Sequence, residues 1–195
     1  MKSEVNFIYS DIDRITKGRF AGDIDFMADI IDDNSGEHIG KINFQICHNE
    51  QAIVPGEYLP EYLVVNENEN ENEDGITFLK THLYVKRIIF DEAQRGKGYL
   101  RKVFRELIHI SKNNNAEGRI ILEAEALCSG FGSPHKFYYA IGMEHGPKYE
   151  EFLRKKIKTY GANVKDVTIG KDGKLQYCGY SGVVLCLKPE VIDKM

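Results

Sequence analysis

Hydrophobic positions in this chain alternate with polar ones in some stretches and recur at helical spacing in others. Alternation, or a short apolar run bounded by turn residues, predicts a β-strand. Seven stretches fit a strand: Val5–Tyr9, Phe20–Ile31, His38–Cys47, Ile76–Phe90, Arg119–Leu127, Val164–Ile169 and Val183–Leu187. The second and third are separated by Asp32-Asp33-Asn34-Ser35-Gly36, which has the composition of a hairpin turn, so we expect them to pair antiparallel. Ser10 is placed to cap a brief helical turn that ends at Gly18.

The clearest helix follows the strand that ends at Phe90. One apolar stripe of helical period contains Leu100, Val103, Phe104, Leu107, Ile108 and Ser111. Two more helices are predicted, from Pro134 to Tyr139 with Ser133 as the cap, and from Pro147 to Tyr160. A strand, a crossover helix and a second strand imply parallel neighbours. The pattern therefore predicts a mixed α/β fold in one domain over residues 1–195, with a central mixed sheet of about six to seven strands flanked by helices on both faces.

Composition narrows the class of protein. The chain has 195 residues, of which 42% are hydrophobic, and no apolar run approaches the ~20 residues of a membrane span. With no secretory signal pattern at its start, we expect a cytoplasmic protein without a membrane partner. Its net charge of −4 argues against nucleic acid as a partner, and its four scattered cysteines suggest no metal site. The acidic, low-complexity stretch at about 66–75 is predicted to be a loop, and the helix at 147–160 an insertion.

The residues most informative about function are Arg95-Gly96-Lys97-Gly98-Tyr99-Leu100, between a predicted strand and the clearest helix. Without side chains at two positions the backbone can approach a ligand, and the unpaired first amides of the helix attract an anion such as phosphate. Basic residues concentrate around the turn: Lys86, Arg87, Arg95, Lys97, Arg101, Lys102 and Arg105. They indicate either a site for a small polyanion or a solvated helix face.

The chain resembles the GNAT superfamily of N-acetyltransferases at two motifs. The family's acyl-CoA motif, Arg/Gln-x-x-Gly-x-Gly/Ala, corresponds to the six residues that start at Arg95, although Leu100 stands where the family has a small residue. The family's second motif, Phe-Tyr-x-x-x-Gly-Phe, corresponds to Phe137-Tyr138-Tyr139-Ala140-Ile141-Gly142-Met143. The resemblance covers about Ile76 to Met143.

The resemblance implies that the protein uses acetyl-CoA and no metal. The cofactor-binding residues it implies are Arg95, Gly96, Lys97, Gly98, Tyr99 and Leu100 for the diphosphate, and Ile88, Ile89 and Phe90 for the pantetheine arm. It implies transfer of the acetyl group to a primary amine, on a small molecule or a protein, by direct attack. Tyr138 stands where the family often places the general acid, and the alternative is a core tyrosine.

Candidates for the general base lie on the strand near residue 125. Glu123 and Glu125 alternate with apolar residues. A carboxylate is costly to bury in an apolar strand, so its presence there calls for a functional or structural explanation. Glu125 is the first choice, and its alternative is a salt bridge to Lys86 or Arg87. His135 is either a proton relay or an idle surface residue. The rival to an enzyme is a catalytically silent acyl-CoA-binding protein, and the oligomeric state is left open.

Overall fold

The computed structural model describes residues 4–14, 23–48, 59–65, 78–124, 135–146, 148, 151, 154–155, 167–169, 171, 175–177, 183–187 and 191. The chain divides into two compact units. The first consists of Met1–Glu50, Leu79–Ile121 and Pro189–Met195, and the second of Gln51–Phe78 and Leu122–Lys188. No helix in these described stretches is long and apolar enough to cross a membrane.

The fold is mixed α/β. Nine strands are described: β1 (Val5–Arg14), β2 (Ile24–Asp32), β3 (His38–Cys47), β4 (His82–Phe90), β5 (Ile120–Ala124), β6 (Met143–Glu144), β7 (Val167–Ile169), β8 (Leu175–Tyr177) and β9 (Val183–Leu187). Two helices have described bounds, α1 (Tyr99–Asn113) and α2 (His135–Ala140), with 3-10 turns at Glu61–Leu63 and Glu92–Gln94. Residues 151, 154–155 and 191 are also helical. Seven strands form one mixed sheet in the order β1-β2-β3-β4-β5-β9-β6, and β7 and β8 form a separate hairpin.

The first four strands form an antiparallel meander whose core face packs against α1. Phe26 on β2 and Phe44 on β3 stack with ring centroids 4.8 Å apart. The apolar stripe of α1 is buried at Val103, Phe104 and Leu107, and α1 contacts β1 and β4. The predicted hairpin of β2 and β3 and the predicted helix after β4 are therefore confirmed. Both could be predicted because their sequence signals are strong and local.

The predicted helical turn after Ser10 is wrong as far as Arg14, because β1 continues through that segment. A β-bulge lies between Tyr9 and Asp11, and the Ser10 hydroxyl donates a hydrogen bond to the Met27 carbonyl at 3.2 Å. Beyond the bulge Ile12 lies opposite Phe26. Pairing with a distant strand has overridden the local capping preference of serine.

Other boundaries differ from those predicted. The strand predicted from Ile76 begins at His82, and the strands β6 and β8 have no counterpart in the predicted set. The strand predicted at Arg119–Leu127 is described from Ile120 to Ala124. The acidic loop and most of the 147–160 segment lie outside the described residues, so those predictions stay predictions. Helices on both faces of the sheet also remain a prediction.

Candidate functional site

The glycine turn connects β4 to α1 in the first unit. Gly96 and Gly98 have φ angles of 77° and 83°, a left-handed conformation that side chains resist. A Cβ added at either glycine would meet nothing within 4 Å. Glycine is therefore needed at these positions for the backbone conformation and not to avoid a clash, and the space beside the turn is open.

The turn ends at the N-terminus of α1. Gly98 occupies the N-cap position, no side chain caps the helix, and its first turn contains no acidic residue. Within its own sequence, the first turn of α1 thus has no carboxylate to offset the positive end of the helix dipole, although Asp32 and Glu37 of the β2–β3 hairpin lie nearby. This end of α1 has the uncapped amides that an anion site requires, and anion binding there stays a prediction.

Three side chains fix the turn to its surroundings. The Arg95 Nε donates a hydrogen bond to the Phe90 carbonyl at 3.3 Å, which links the turn to the end of β4. The Lys97 ammonium donates to Gln94 Oε1 at 2.9 Å, and the Gln94 amide donates to Glu37 Oε1 at 2.5 Å. Glu37 belongs to the β2–β3 turn, so the hairpin supports the glycine turn from a distant part of the sequence.

Tyr99 and Lys102 meet the same hairpin through Asp32. Burial, and then the nearby Asp32 carboxylate, raise the pKa of Tyr99. The Lys102 ammonium lies 5.2 Å from the centre of the Tyr99 ring and 3.9 Å from Asp32 Oδ2. Hydrogen bonds from the amides of Ser35 and Asn34 lower the pKa of Asp32, which keeps it ionised beside Lys102. A residue of the β2–β3 hairpin therefore contacts the first turn of α1, and the sequence of α1 alone does not predict this contact.

The basic patch predicted around the turn is partly neutralised. Lys102 and Arg105 both pair with Glu4, at 3.1 and 2.9 Å. Lys86 pairs with Asp25 at 2.7 Å. Arg101 and Arg87 are exposed. Ion pairs therefore leave fewer of these basic residues without a carboxylate partner than the sequence suggests.

The predicted pantetheine-binding residues form the end of β4. Ile88, Ile89 and Phe90 are all partly exposed, although each is apolar. The register between β3 and β4 shifts at Asn43, so that Lys86 is an extra residue in β4. Gly40 on β3 lies opposite Phe90, and a Cβ on it would come within 2.2 Å of the Ile89 carbonyl oxygen. The bulge and this close approach together set the position of the strand end.

His38 ties the residue after β4 to the rest of the meander. Its Nδ1 lies 2.7 Å from Asp91 Oδ2, and its Nε2 lies 3.2 Å from Asp29 Oδ1. Hydrogen bonds with Asp91, and then with Asp29, raise the pKa of His38. Hydrogen bonding with His38 lowers the pKa of Asp29, which also lies 3.4 Å from the Lys41 ammonium. Sequence analysis missed this cluster because its members come from three segments, β2, β3 and the residue after β4.

The predicted catalytic residues belong to the second unit. Tyr138 is half-buried on α2, and burial raises its pKa, so its phenol stays protonated at neutral pH. Glu123 lies in β5, while Glu125 is outside the described residues. Lys86 binds Asp25, but the alternative role of Glu125, a salt bridge to Lys86 or Arg87, stays a prediction because Glu125 is not described. His135 begins α2.

Neither a metal nor a cysteine site is evident in the part of the chain that the structure describes. No group of three or more metal-ligating side chains occurs there. Cys47 and Cys186 are buried free thiols, and burial raises the pKa of Cys186 far above its usual value. A buried thiol that stays protonated is inert as a nucleophile.

Comparison with known proteins does not assign the chain to a family. No family model matches it, and no curated protein matches it at a significant level. Among solved structures the chain is similar to the crystal structure of a mutant of KacT, with 12% sequence identity over 87% of this chain and 74% of that one. The TM-score is 0.35, which is too low to carry an argument about fold or function.

Proposed function

We propose that this protein is an acyl-CoA-dependent N-acetyltransferase and that its glycine turn binds the diphosphate of acetyl-CoA. The observation that carries the proposal is the pair of left-handed glycines, Gly96 and Gly98, with open space beside both, at the uncapped start of a 15-residue helix. A diphosphate needs several hydrogen-bond donors that converge on it, and no side chain can stand between those donors and the phosphates.

The surroundings of the turn support a phosphorylated ligand. Arg95 and Lys97 are exposed on the turn, and both are oriented by contacts with Phe90 and Gln94. Their charges add to the positive end of α1. The partly exposed strand end at Ile88–Phe90 precedes the turn directly, and the amides of a pantetheine arm would pair with such a strand.

Acetyl transfer to an amine raises two proton problems. A primary amine with a pKa of about 10 must lose a proton before it attacks, and the departing sulfur, with a pKa of about 8.5 for a simple thiol, leaves more easily when it is protonated to the thiol. Tyr138 is the proposed general acid, which the GNAT resemblance suggests, and its raised pKa keeps the needed proton on the phenol. Glu125 and Glu123 remain the proposed bases, because in the sequence they alternate with apolar residues of the predicted strand.

A catalytically silent acyl-CoA-binding protein is the second candidate, and Leu100 favours it. This residue is the second of α1 and stands where the family has a small side chain next to the pyrophosphate. A bulky leucine there would hold the diphosphate farther from the turn, and such a displaced ligand would lower catalytic efficiency. Release of free CoA thiol in the presence of a panel of amines separates the two candidates, because only the enzyme releases it.

Calorimetry on a matched pair of variants tests the binding site. We expect micromolar affinity for acetyl-CoA and no detectable binding by Gly98→Glu, which puts a side chain and a negative charge against the phosphates. Asn113→Glu is the control, because it adds the same charge at an exposed residue in the last turn of the same helix, at the end away from the glycine turn. Unchanged affinity in a folded Gly98→Glu protein would overturn the assignment.

A further inference from the structure

Gln94 lies between a lysine of the glycine turn and a carboxylate of the β2–β3 hairpin. It is only 4% exposed and ends the 3-10 turn that comes just before Arg95. Its side-chain amide donates to Glu37 Oε1, and its Oε1 accepts from the Lys97 ammonium at 2.9 Å. A carboxylate can only accept and an ammonium can only donate, so these two neighbours fix the orientation of the amide.

Both neighbours of Gln94 have constrained backbones. Glu37 closes the hairpin turn, where its carbonyl accepts a hydrogen bond from the Asp32 amide at 2.9 Å. Lys97 stands between the two left-handed glycines of the glycine turn. The buried amide therefore connects two fixed points of the chain, and the lysine ammonium is held at a defined place on the turn.

The ammonium of Lys97 is held without being neutralised. In the part of the chain that the structure describes it forms no ion pair, and its partner is the neutral oxygen of Gln94. Three other cations around the turn do pair with carboxylates: Lys86, Lys102 and Arg105. Gln94 thus binds both Lys97 and the Glu37 carboxylate and keeps the two apart.

We propose that Gln94 is a positioning residue of the glycine turn, which holds the Lys97 ammonium for the ligand's phosphates and keeps the Glu37 carboxylate from neutralising it. The proposal rests on the assignment of this turn to the diphosphate of acetyl-CoA. An ammonium has three N–H donors and Gln94 takes one, so the others can donate to phosphate oxygens. A side chain that is ordered before the ligand arrives also loses less conformational entropy on binding.

Exchanging the amide and the carboxylate tests this role without changing the composition. In Gln94→Glu with Glu37→Gln the net charge is unchanged and both hydrogen bonds can persist, because the new amide donates to the new carboxylate and Lys97 donates to it as well. The partner of Lys97 changes from a neutral oxygen to a carboxylate. The exchange therefore neutralises the lysine while it preserves the contacts that a purely structural role would need.

Calorimetric titration with acetyl-CoA at about 0.1 M and about 1 M salt measures the effect, because the Debye length falls from ~10 Å to ~3 Å over this range. We expect the exchanged protein to bind about fivefold more weakly than the parent in low salt and nearly as tightly in high salt. Lys97→Gln should show the same loss and the same dependence on salt. Glu37→Gln alone, which leaves the neutral amide beside Lys97, should bind at least as tightly as the parent.

A second pair of variants covers the case in which a carboxylate at the buried position prevents folding, which thermal unfolding reveals. Gln94→Met keeps an unbranched side chain of similar length and removes both hydrogen bonds. It should weaken acetyl-CoA binding in the parent and have no further effect in Lys97→Gln. Equal losses in the two backgrounds would show that Gln94 acts through packing, and would overturn the proposal.

Three results of the exchange would also overturn it. They are an affinity equal to that of the parent in low salt, a loss of the same factor at both salt concentrations, and an equally large loss in Glu37→Gln alone. Each of these contradicts only the role of Gln94, because the parent still binds acetyl-CoA. A parent that does not bind acetyl-CoA would contradict the proposed function itself, and this inference with it.

Discussion

Replacing Gly40 by alanine is expected to destabilise the protein where β3 approaches the end of β4. A Cβ at this position would lie 2.2 Å from the Ile89 carbonyl oxygen and 2.9 Å from the Phe90 Cα. Both are backbone atoms, so no side-chain rotation relieves the contact. The strands must separate by about 1 Å to restore ordinary van der Waals distance.

The cost follows from that separation. Overpacking in a well-packed region costs about 1–3 kcal/mol. Separation also stretches the hydrogen bond from the Asp91 amide to the Ile39 carbonyl, now 3.0 Å, and a backbone hydrogen bond contributes about 0.5–1.5 kcal/mol. Alanine regains about 0.5–1 kcal/mol over glycine in a strand through chain entropy. We expect the free energy of unfolding to fall by about 2–3 kcal/mol.

Urea unfolding of the parent, Gly40→Ala and Gly36→Ala measures this loss. Gly36 has a φ of 71° and nothing within 4 Å of an added Cβ, so its substitution reports the left-handed conformation without a clash. We expect that control to lose about 1–2 kcal/mol. If Gly40→Ala is as stable as the parent, the close approach of β3 to β4 is wrong.

Three further changes test other parts of the account. Tyr138→Phe should lower turnover by about 10² to 10⁴ while acetyl-CoA affinity stays the same, and full turnover would return this tyrosine to a packing role. Because hydrogen bonding raises the pKa of His38, its contribution to stability is fully present below its ordinary pKa of about 6.5 and is lost as pH rises through the raised value. The urea midpoints of the parent and His38→Gln should therefore differ most near pH 6 and converge in alkali, whereas a constant difference would show that His38 acts without its charge. Phe104→Ala, at a fully buried site in α1, should cost about 3–5 kcal/mol in unfolding free energy, and a loss below 1 kcal/mol would contradict its place in the core.

Local signals in the sequence predict the local parts of this fold. The turn between β2 and β3 and the stripe of α1 both depend on neighbours a few residues away, and both are found as predicted. The second half of β1 was missed because it depends on pairing with β2, which places Ile12 opposite Phe26. In the sequence, Ser10 and the later Gly18 favour a capped turn when the partner strand is not known.

In the candidate site, too, only the features that depend on local sequence could be predicted. The glycines at 96 and 98 are legible in the sequence because a left-handed turn needs them. Two other contacts cannot be recognised in this way: the ion pair between Lys86 and Asp25, 61 residues apart, and the contact of Gln94 with Glu37. Nothing in the local sequence specifies which carboxylate a lysine or a glutamine will meet. The basic residues around the turn therefore suggested a stronger patch than the structure leaves.

The central claim is that backbone amides of the glycine turn bind the diphosphate of acetyl-CoA. Its most direct test is a titration of ¹⁵N-labelled protein with acetyl-CoA, followed through the amide resonances. The account predicts that the largest saturable shifts belong to the amides from Gly96 to Leu100, with smaller shifts at Ile88–Phe90. Absence of saturable shifts, or shifts that cluster away from this turn, would contradict it.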